Sequence, residues 1–435
     1  MDKKIKGLRW RVAGVLTLDT INNYMDRMTL SVVIIQIQAS LAITESEFAT
    51  LNSLFLLAYA IMYAGGGRLI DFLGTYIGFL VINVFWALAV IAHGFSNGFL
   101  GLAISRFLLG IGEGGGFPAS SKAVSEWFPA RERSIAFGMF NTGSSIGSLI
   151  AVPLFSFIML TLGWRAVFFV AGGLGLLWSL YWAFFYSLPE DHPKITDEEF
   201  ELITNAHREE ATEESAVQVR WLDLFRNRAV MGLITVKFLT DPVWYFYIFW
   251  IPKYLFDERG FDIAQVGYFA WIPYAAAGVG SMLGGWLSSW FIRKGRSLNF
   301  ARKLTLGLGA ALMPAAVMIV SVPVSLAIVF ISLAFMGHQI WNVVIQTLPA
   351  DLYPKSHVGS VAGLIGSSGA FGGMVFAAFV GWLLASAGSY APVFAIAGLL
   401  HPISFVILLL MIPRIRRVAP LADGKLLSNE MTARL

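Results

Sequence analysis

Four ionisable side chains interrupt apolar stretches of this sequence and could bind an anion or carry a proton. Asp26 and Arg27 are neighbours in one stretch, and Arg106 and Glu113 lie seven residues apart in another, on one helical face. Ionisable groups at membrane depth are costly unless they line a polar cavity. We therefore predict a functional site, with two structural salt bridges as the alternative interpretation.

The residue types indicate what such a site would do. Arginine stays charged, and its planar fork fits a carboxylate. The proton affinity of an acid beside an arginine depends on whether that arginine is occupied by an anion. This dependence is the physical basis of symport of an anion with protons.

A third pair follows in a later apolar stretch. Lys237 and Asp241 stand at positions i and i+4, from which they can pair on one helical face. Tyr245, one turn beyond Asp241, falls on the same polar face and is predicted to contact a sugar. Lys237 binds substrate or extends toward the cytoplasmic surface, and both alternatives stay open.

Further polar and aromatic side chains in apolar stretches complete the predicted substrate site. Interhelical hydrogen bonding is the open alternative for those that follow His338. These candidates are Tyr59, Tyr63, Asn141, Ser144, Gln339, Trp341 and Asn342. Gly110 to Gly115 matches a dinucleotide fingerprint formally, but it neither follows a strand nor opens a helix at a sheet edge. No catalytic triad or metal-ligand spacing is apparent and cysteine is absent, so we expect neither an enzyme nor a bound cofactor or metal.

Composition places these residues in a membrane protein. Of the 435 residues 57% are hydrophobic and 13% charged, with a mean hydropathy of +0.69, too apolar for one soluble core. A net charge of +4 is too small to suggest nucleic acid as a partner. Twelve stretches are long enough to span a bilayer. They are 12–37, 49–70, 76–95, 98–120, 134–160, 165–186, 229–255, 265–292, 303–321, 324–348, 358–385 and 391–413.

The spans form two groups. We predict an N-terminal bundle of six helices over 1–188, a cytoplasmic linker over 189–228, a second six-helix bundle over 229–413 and a cytoplasmic tail over 414–435. Basic residues concentrate at both termini and in the fourth and eighth connections, which predicts cytoplasmic termini in an inner membrane. Thr196 and Glu199 predict a capping box in the linker, which otherwise reads as a solvated spacer.

The two groups of six also resemble each other. Val167, Phe168 and Ala171 recur as Val393, Phe394 and Ala397 at one constant offset. Gly143 and Gly147 recur as Gly369 and Gly373 at the same offset, within GxxxG patterns that favour close helix packing. The repeat predicts two pseudo-symmetric bundles and alternating access to a central site between them.

Several motifs resemble the anion:cation symporter family of the major facilitator superfamily, and the likeness covers nearly the whole chain. The first span resembles that family's signature, and the seventh most resembles the bacterial hexuronate transporters. The motifs are Asn23-Tyr24-Met25-Asp26-Arg27, Gly67-Arg68-Leu69-Ile70-Asp71-Phe72-Leu73-Gly74, Ser125-Glu126-Trp127-Phe128-Pro129 and Asp241-Pro242-Val243-Trp244-Tyr245-Phe246. The resemblance implies an all-α, twelve-helix major facilitator fold.

The resemblance also implies roles for individual residues. Asp26 and Glu113 would carry protons, Arg27 would bind the substrate carboxylate, and Arg106 would be the partner of Glu113. Tyr59 and Trp341 match positions that line the sugar-acid site in relatives. We therefore expect a proton-coupled symporter that imports a sugar acid, with a hexuronate such as glucuronate or galacturonate preferred. The alternatives are another organic anion (an aldonate, an aldarate or an aromatic acid) and a membrane sensor that does not transport.

Overall fold

The computed structural model describes residues 4–213, 224–225, 227–353 and 355–415. The chain divides into two compact units, Met1–Ser215 and Ala216–Leu435. Every named element is helical. The first unit contains α1 (Leu8–Leu41), α2 (Glu45–Leu73), α3 (Thr75–Gly94), α4 (Phe99–Gly114), α5 (Gly116–Trp127), α6 (Ala130–Leu162), α7 (Trp164–Phe185) and α8 (Asp197–Glu213).

The second unit repeats the plan of six spans in its described residues. It contains α9 (Arg228–Asp257), α10 (Ile263–Phe269), α11 (Trp271–Arg293), α12 (Leu298–Leu312), a 3-10 helix (Met313–Ser321), α13 (Val324–Leu352), α14 (Lys355–Ala387) and α15 (Ala391–Met411). The fourth predicted span is divided at Gly115 into α4 and α5, and the eighth at Ala270 into α10 and α11. The ninth ends in the 3-10 helix.

Eight helical stretches in the described residues are long and apolar enough to cross a membrane on their own. Four of the twelve predicted spans fall outside this set: α1, α4 with α5, α9, and α10 with α11. The first three of these carry the ionisable pairs, and the second and fourth are divided into two helices. The segments outside this set are therefore the ones that contain the ionisable pairs or are divided into two helices. The twelve spans in two groups form the predicted fold.

Close helix packing in the first unit depends on two glycines. A Cβ added to Gly143 of α6 would lie 2.7 Å from the carbonyl oxygen of Thr17 in α1, closer than van der Waals contact allows. A Cβ on Gly147 would collide with the carbonyl of Ile21, one turn further along α1. The packing role predicted for this GxxxG pattern is confirmed.

The start of the linker is docked on the first unit, in contrast to the predicted solvated spacer. Thr196 Oγ1 accepts the amide of Glu199 at 3.3 Å, which is half of the predicted capping box. The Glu199 carboxylate turns away from Thr196 to the beginning of α1. It accepts the amides of Leu8 and Arg9 at 2.9 and 3.1 Å and the Arg9 guanidinium at 2.7 Å. Because α1 begins without a side-chain cap of its own, Glu199 stabilises its free amides from a distant part of the chain.

Candidate functional site

An ion pair between Arg27 and Glu113 lies at the centre of the first unit. Nη2 and Nε of Arg27 donate to Oε2 of Glu113 at 3.0 and 3.1 Å. The two side chains are only 3% and 0% exposed, so the pair is withdrawn from solvent. A buried ion pair offsets the cost of desolvation only when its hydrogen-bond geometry is good, and removal of one partner leaves a costly buried charge.

Glycines bring α4 close enough for this contact. A Cβ on Gly114 would lie 2.7 Å from the carbonyl oxygen of Tyr59 in α2, and one on Gly112 would collide with Trp86 of α3. Side chains at these positions would push α4 away from both neighbours. The run of glycines that matched a nucleotide fingerprint therefore brings three helices together around Glu113, within and at the end of a helix.

Aromatic rings enclose the Arg27 guanidinium. Its central carbon lies 4.8 Å from the ring centroids of both Tyr24 and Tyr59, and 5.6 Å from that of Phe55. These distances allow cation–π attraction, which strengthens when water is excluded. Asn23 Oδ1 accepts a further hydrogen bond from Arg27 Nη2 at 3.1 Å. The guanidinium is thus fixed in position and directed at a carboxylate.

Asp26 does not share this ion pair. Its Oδ2 accepts hydrogen bonds from Trp86 Nε1 at 3.0 Å and from Asn22 Nδ2 at 3.4 Å, while its Oδ1 is buried without a hydrogen-bond partner. Successive residues on a helix point about 100° apart, so adjacency in sequence placed Asp26 and Arg27 on different faces. A salt bridge between these two neighbours, part of the alternative interpretation, is not among the ion pairs of the described residues.

Arg106 also differs from expectation, because the ion pair of Glu113 is with Arg27. Arg106 Nη2 donates to Asn52 Oδ1 at 3.3 Å, and its guanidinium lies 4.7 Å from the Phe55 ring. Arg106 and Glu113 share a helical face, but the ion pair of Glu113 is formed across the bundle with Arg27 of α1, where the glycines of α4 have brought it against α2 and α3.

The remaining candidates of the first unit fall into two groups. The Tyr63 ring is 5.7 Å from the rings of Tyr59 and Phe117, so it continues the aromatic wall that begins at Arg27. Ser144 donates its hydroxyl to the Asn141 carbonyl at 2.8 Å within α6. The structure therefore brings the two tyrosines to Arg27, whereas the Ser144 hydroxyl bonds to the backbone of its own helix.

The second unit contains the predicted Lys237–Asp241 ion pair, with a separation of 2.7 Å. Lys237 Nζ also donates to Asn342 Oδ1 at 3.2 Å, which links α9 to α13. Gly369 of α14 leaves the space that the Asp241 carboxylate occupies. Tyr245 is buried, and its ring is stacked against Phe249 at 6.0 Å. The structure brings together Lys237, Asp241 and Asn342.

Trp341 and Gln339 are buried in the second unit. The Trp341 ring packs against His401 at 5.6 Å and Phe405 at 6.3 Å, between α13 and α15. It belongs to a hydrophobic core cluster, and its predicted contact with substrate stays a prediction. His338 Nδ1 and His401 Nε2 are 3.0 Å apart, so the polar cluster that begins at His338 contains an interhelical hydrogen bond, the kind of contact that was the open alternative.

Sequence reasoning missed four residues that position the charged groups. Asn22 lies one turn before Asp26 and Asn52 one turn before Phe55, and helical spacing could have identified the first of these. Tyr24 was read only as part of a motif. Trp86 carries no local signal, because its contact with Asp26 joins residues 60 positions apart.

The sequence is similar to a family of membrane transporters and to curated members of it. The model of the Major Facilitator Superfamily matches residues 19–376. The hexuronate transporter of Escherichia coli (strain K12) is 34% identical over 397 residues, 91% of each chain. The galacturonate transporter of Dickeya chrysanthemi is 35% identical over 311 residues, 71% of this chain and 90% of that one.

A solved structure shares the fold. The crystal structure of a D-xylose-proton symporter superposes with a TM-score of 0.68 at 16% identity, covering 93% of this chain and 98% of that one. The predicted fold is confirmed, as is the resemblance to bacterial sugar-acid transporters. The protein is therefore a transporter rather than an enzyme, and this multi-pass membrane protein belongs to the Major Facilitator Superfamily.

Proposed function

We propose that this protein imports a hexuronate, such as galacturonate or glucuronate, together with protons by alternating access. The observation that carries the proposal is the buried Arg27–Glu113 ion pair, in which a guanidinium suited to a carboxylate is already occupied by one. The similarity to a hexuronate transporter and a galacturonate transporter supports the choice of substrate. We further propose an inner-membrane location with both termini in the cytoplasm.

Arg27 is the proposed ligand of the substrate carboxylate. Two of its nitrogens already donate to one carboxylate oxygen, the arrangement that a sugar acid would also offer. Tyr59 and Tyr63 extend from this point as an aromatic wall, against which the apolar face of a sugar ring can pack. Lysine at position 27 would keep the charge and lose the fork.

Competition for Arg27 couples substrate to protons in this proposal. While Glu113 is ionised it holds Arg27, and an arriving carboxylate must displace it. Protonated Glu113 no longer attracts the guanidinium, so Arg27 becomes available to the substrate. Each ligand then favours the other by the same factor, as linkage requires. The competing acid in this proposal is Glu113 of α4 and not Asp26, the sequence neighbour of Arg27.

Asp26 is proposed as a second proton carrier. No ion pair of Asp26 is found in the described residues, and only Trp86 and Asn22 donate hydrogen bonds to it. An isolated negative charge at membrane depth is costly, which favours a carboxyl that exchanges a proton during the cycle. Two protons carried with one carboxylate would move net positive charge inward.

Uptake into proteoliposomes tests the function. Wild-type protein should accumulate radiolabelled galacturonate under an inward proton gradient, and unlabelled glucuronate should compete better than an aldonate, an aldarate or an aromatic acid. The matched control is Glu126→Gln, because Glu126 binds Thr75 and Tyr186 outside the site. Accumulation that is the same with and without the proton gradient would refute the proposed coupling to protons. Preferential uptake of another anion would refute a hexuronate as the substrate.

A further inference from the structure

A third acid, Asp19, is buried in α1 and has no part in the site above. Asp19 is 3% exposed, and its Oδ1 accepts a hydrogen bond from Asn83 Nδ2 of α3 at 2.6 Å. Asn83 Oδ1 accepts in turn from the Ser179 hydroxyl of α7 at 3.0 Å. Nothing basic in the described part of the chain forms an ion pair with Asp19. A carboxylate so placed is costly to keep ionised.

Asp19 is aligned with the proposed proton carriers. Asn22 and Asp26 follow it by three and seven residues, so the three side chains share one face of α1. The rise from Asp19 to Asp26 is about 10 Å at ~1.5 Å per residue. Since the basic N-terminus predicts that α1 begins at the cytoplasmic surface, Asp19 lies between that surface and Asp26.

Among the described residues, no cation lies within ion-pair distance of Asp19. α3 presents Asn83 and α7 presents Ser179, and both are uncharged. The titratable groups that act on it from a distance are Asp26 of its own helix and Glu113 of α4, the latter with its partner Arg27. The three acids Asp19, Asp26 and Glu113 lie with two arginines, Arg27 and Arg106, so negative charge is in excess when all three ionise. Ionisation of one acid therefore favours retention of a proton by the others.

We propose that Asp19 is a third proton-binding carboxylate of the transport cycle, which receives protons that leave Asp26 and Glu113 toward the cytoplasm. In each transfer the Asp26 carboxyl loses a proton and becomes ionised, while the Asp19 carboxylate gains it and becomes neutral. The proton then passes to cytoplasmic water. The rise of about 10 Å exceeds one hydrogen bond, so the transfer requires intervening water. The proposal rests on the proton coupling proposed above.

The test measures galacturonate binding, counterflow and galacturonate-driven proton entry in proteoliposomes. Asp19→Asn keeps the shape and a hydrogen-bonding group but removes the exchangeable proton. It should retain binding and counterflow, while proton entry falls roughly tenfold or more, the scale of losing one proton-transfer group. The double variant D19N/N83D exchanges carboxyl and amide across the same hydrogen bond and should restore proton entry. Ser179→Ala, which removes no carboxyl, is the matched control.

Proton entry by D19N at the wild-type rate would overturn the proposal, as would equal losses of counterflow and proton entry, which indicate a structural role. Failure of the exchanged pair to restore proton entry would overturn it too. Should D19N not fold, Asn83→Leu keeps the acid and removes its donor. The pH profile of accumulation should then move to higher pH, and an unchanged profile contradicts the proposal. Wild-type transport of galacturonate without protons would instead refute the proposed coupling itself, and this proposal with it.

Discussion

Replacement of Glu113 by Gln should strengthen substrate binding at alkaline pH, because it removes the anion that competes for Arg27. Nη2 and Nε of Arg27 donate to Glu113 Oε2 at 3.0 and 3.1 Å, in a pair that is almost fully buried. A hydrogen bond to a charged group is worth about 1.5–3 kcal/mol, equivalent to roughly 10- to 150-fold in affinity. At pH 8 the dissociation constant of galacturonate should therefore be lower in Glu113→Gln than in wild type by a factor in this range.

The advantage of the variant should disappear on acidification. As pH falls, wild-type Glu113 becomes protonated and releases Arg27, so wild-type affinity approaches that of the variant. Isothermal titration of purified protein at pH 8 and pH 5.5 measures both limits. Glu126→Gln is the control, because Glu126 accepts hydrogen bonds from Thr75 and Tyr186 at 2.7 Å each, outside the site. Coincident isotherms of wild type and Glu113→Gln at pH 8 would refute the competition between Glu113 and substrate.

Three further predictions follow from the contacts of single residues. Arg27→Lys should weaken galacturonate binding by about 1.5–3 kcal/mol through loss of the fork, measured by the same titration, and an unchanged isotherm would remove Arg27 from the site. Asp26→Asn should bind and exchange substrate but fail to accumulate it under an inward proton gradient, and wild-type accumulation would exclude Asp26 as a proton carrier. Burial lowers the pKa of His192 in the linker, whose Nδ1 accepts the Lys194 amide at 3.1 Å. The neutral form therefore stabilises the docked linker above about pH 6.5, and this stability is lost as pH falls below that value. The protection factors of amides around His192, which are corrected for the pH dependence of intrinsic exchange, should be lower at pH 5.5 than at pH 7.5 in wild type, and equal protection factors at the two values would contradict this.

The sequence by itself determined the membrane class, the twelve spans, the two groups of six and the presence of ionisable residues within them. These features follow from length, hydropathy and charge, which are additive along the chain and need no knowledge of distant contacts. The i, i+4 spacing of Lys237 and Asp241 likewise predicted their ion pair, because a helix fixes the geometry over one turn. The predicted cytoplasmic tail, 414–435, lies outside the described part of the chain except for its first two positions.

Only the tertiary structure decided which charges meet. Sequence adjacency suggested Asp26 for Arg27, yet the partner is Glu113, 86 positions away, because glycines in α4 bring it against α2 and α3 and so within reach of α1. Trp86 donates a hydrogen bond to Asp26 although the two residues are 60 positions apart in the sequence. The Glu199 carboxylate accepts amides at the start of α1 rather than completing the predicted capping box with Thr196. The Trp341 ring packs against His401 of α15. In each case the side chain's direction depends on how helices pack, and packing is set by shape complementarity over the whole bundle rather than by local spacing.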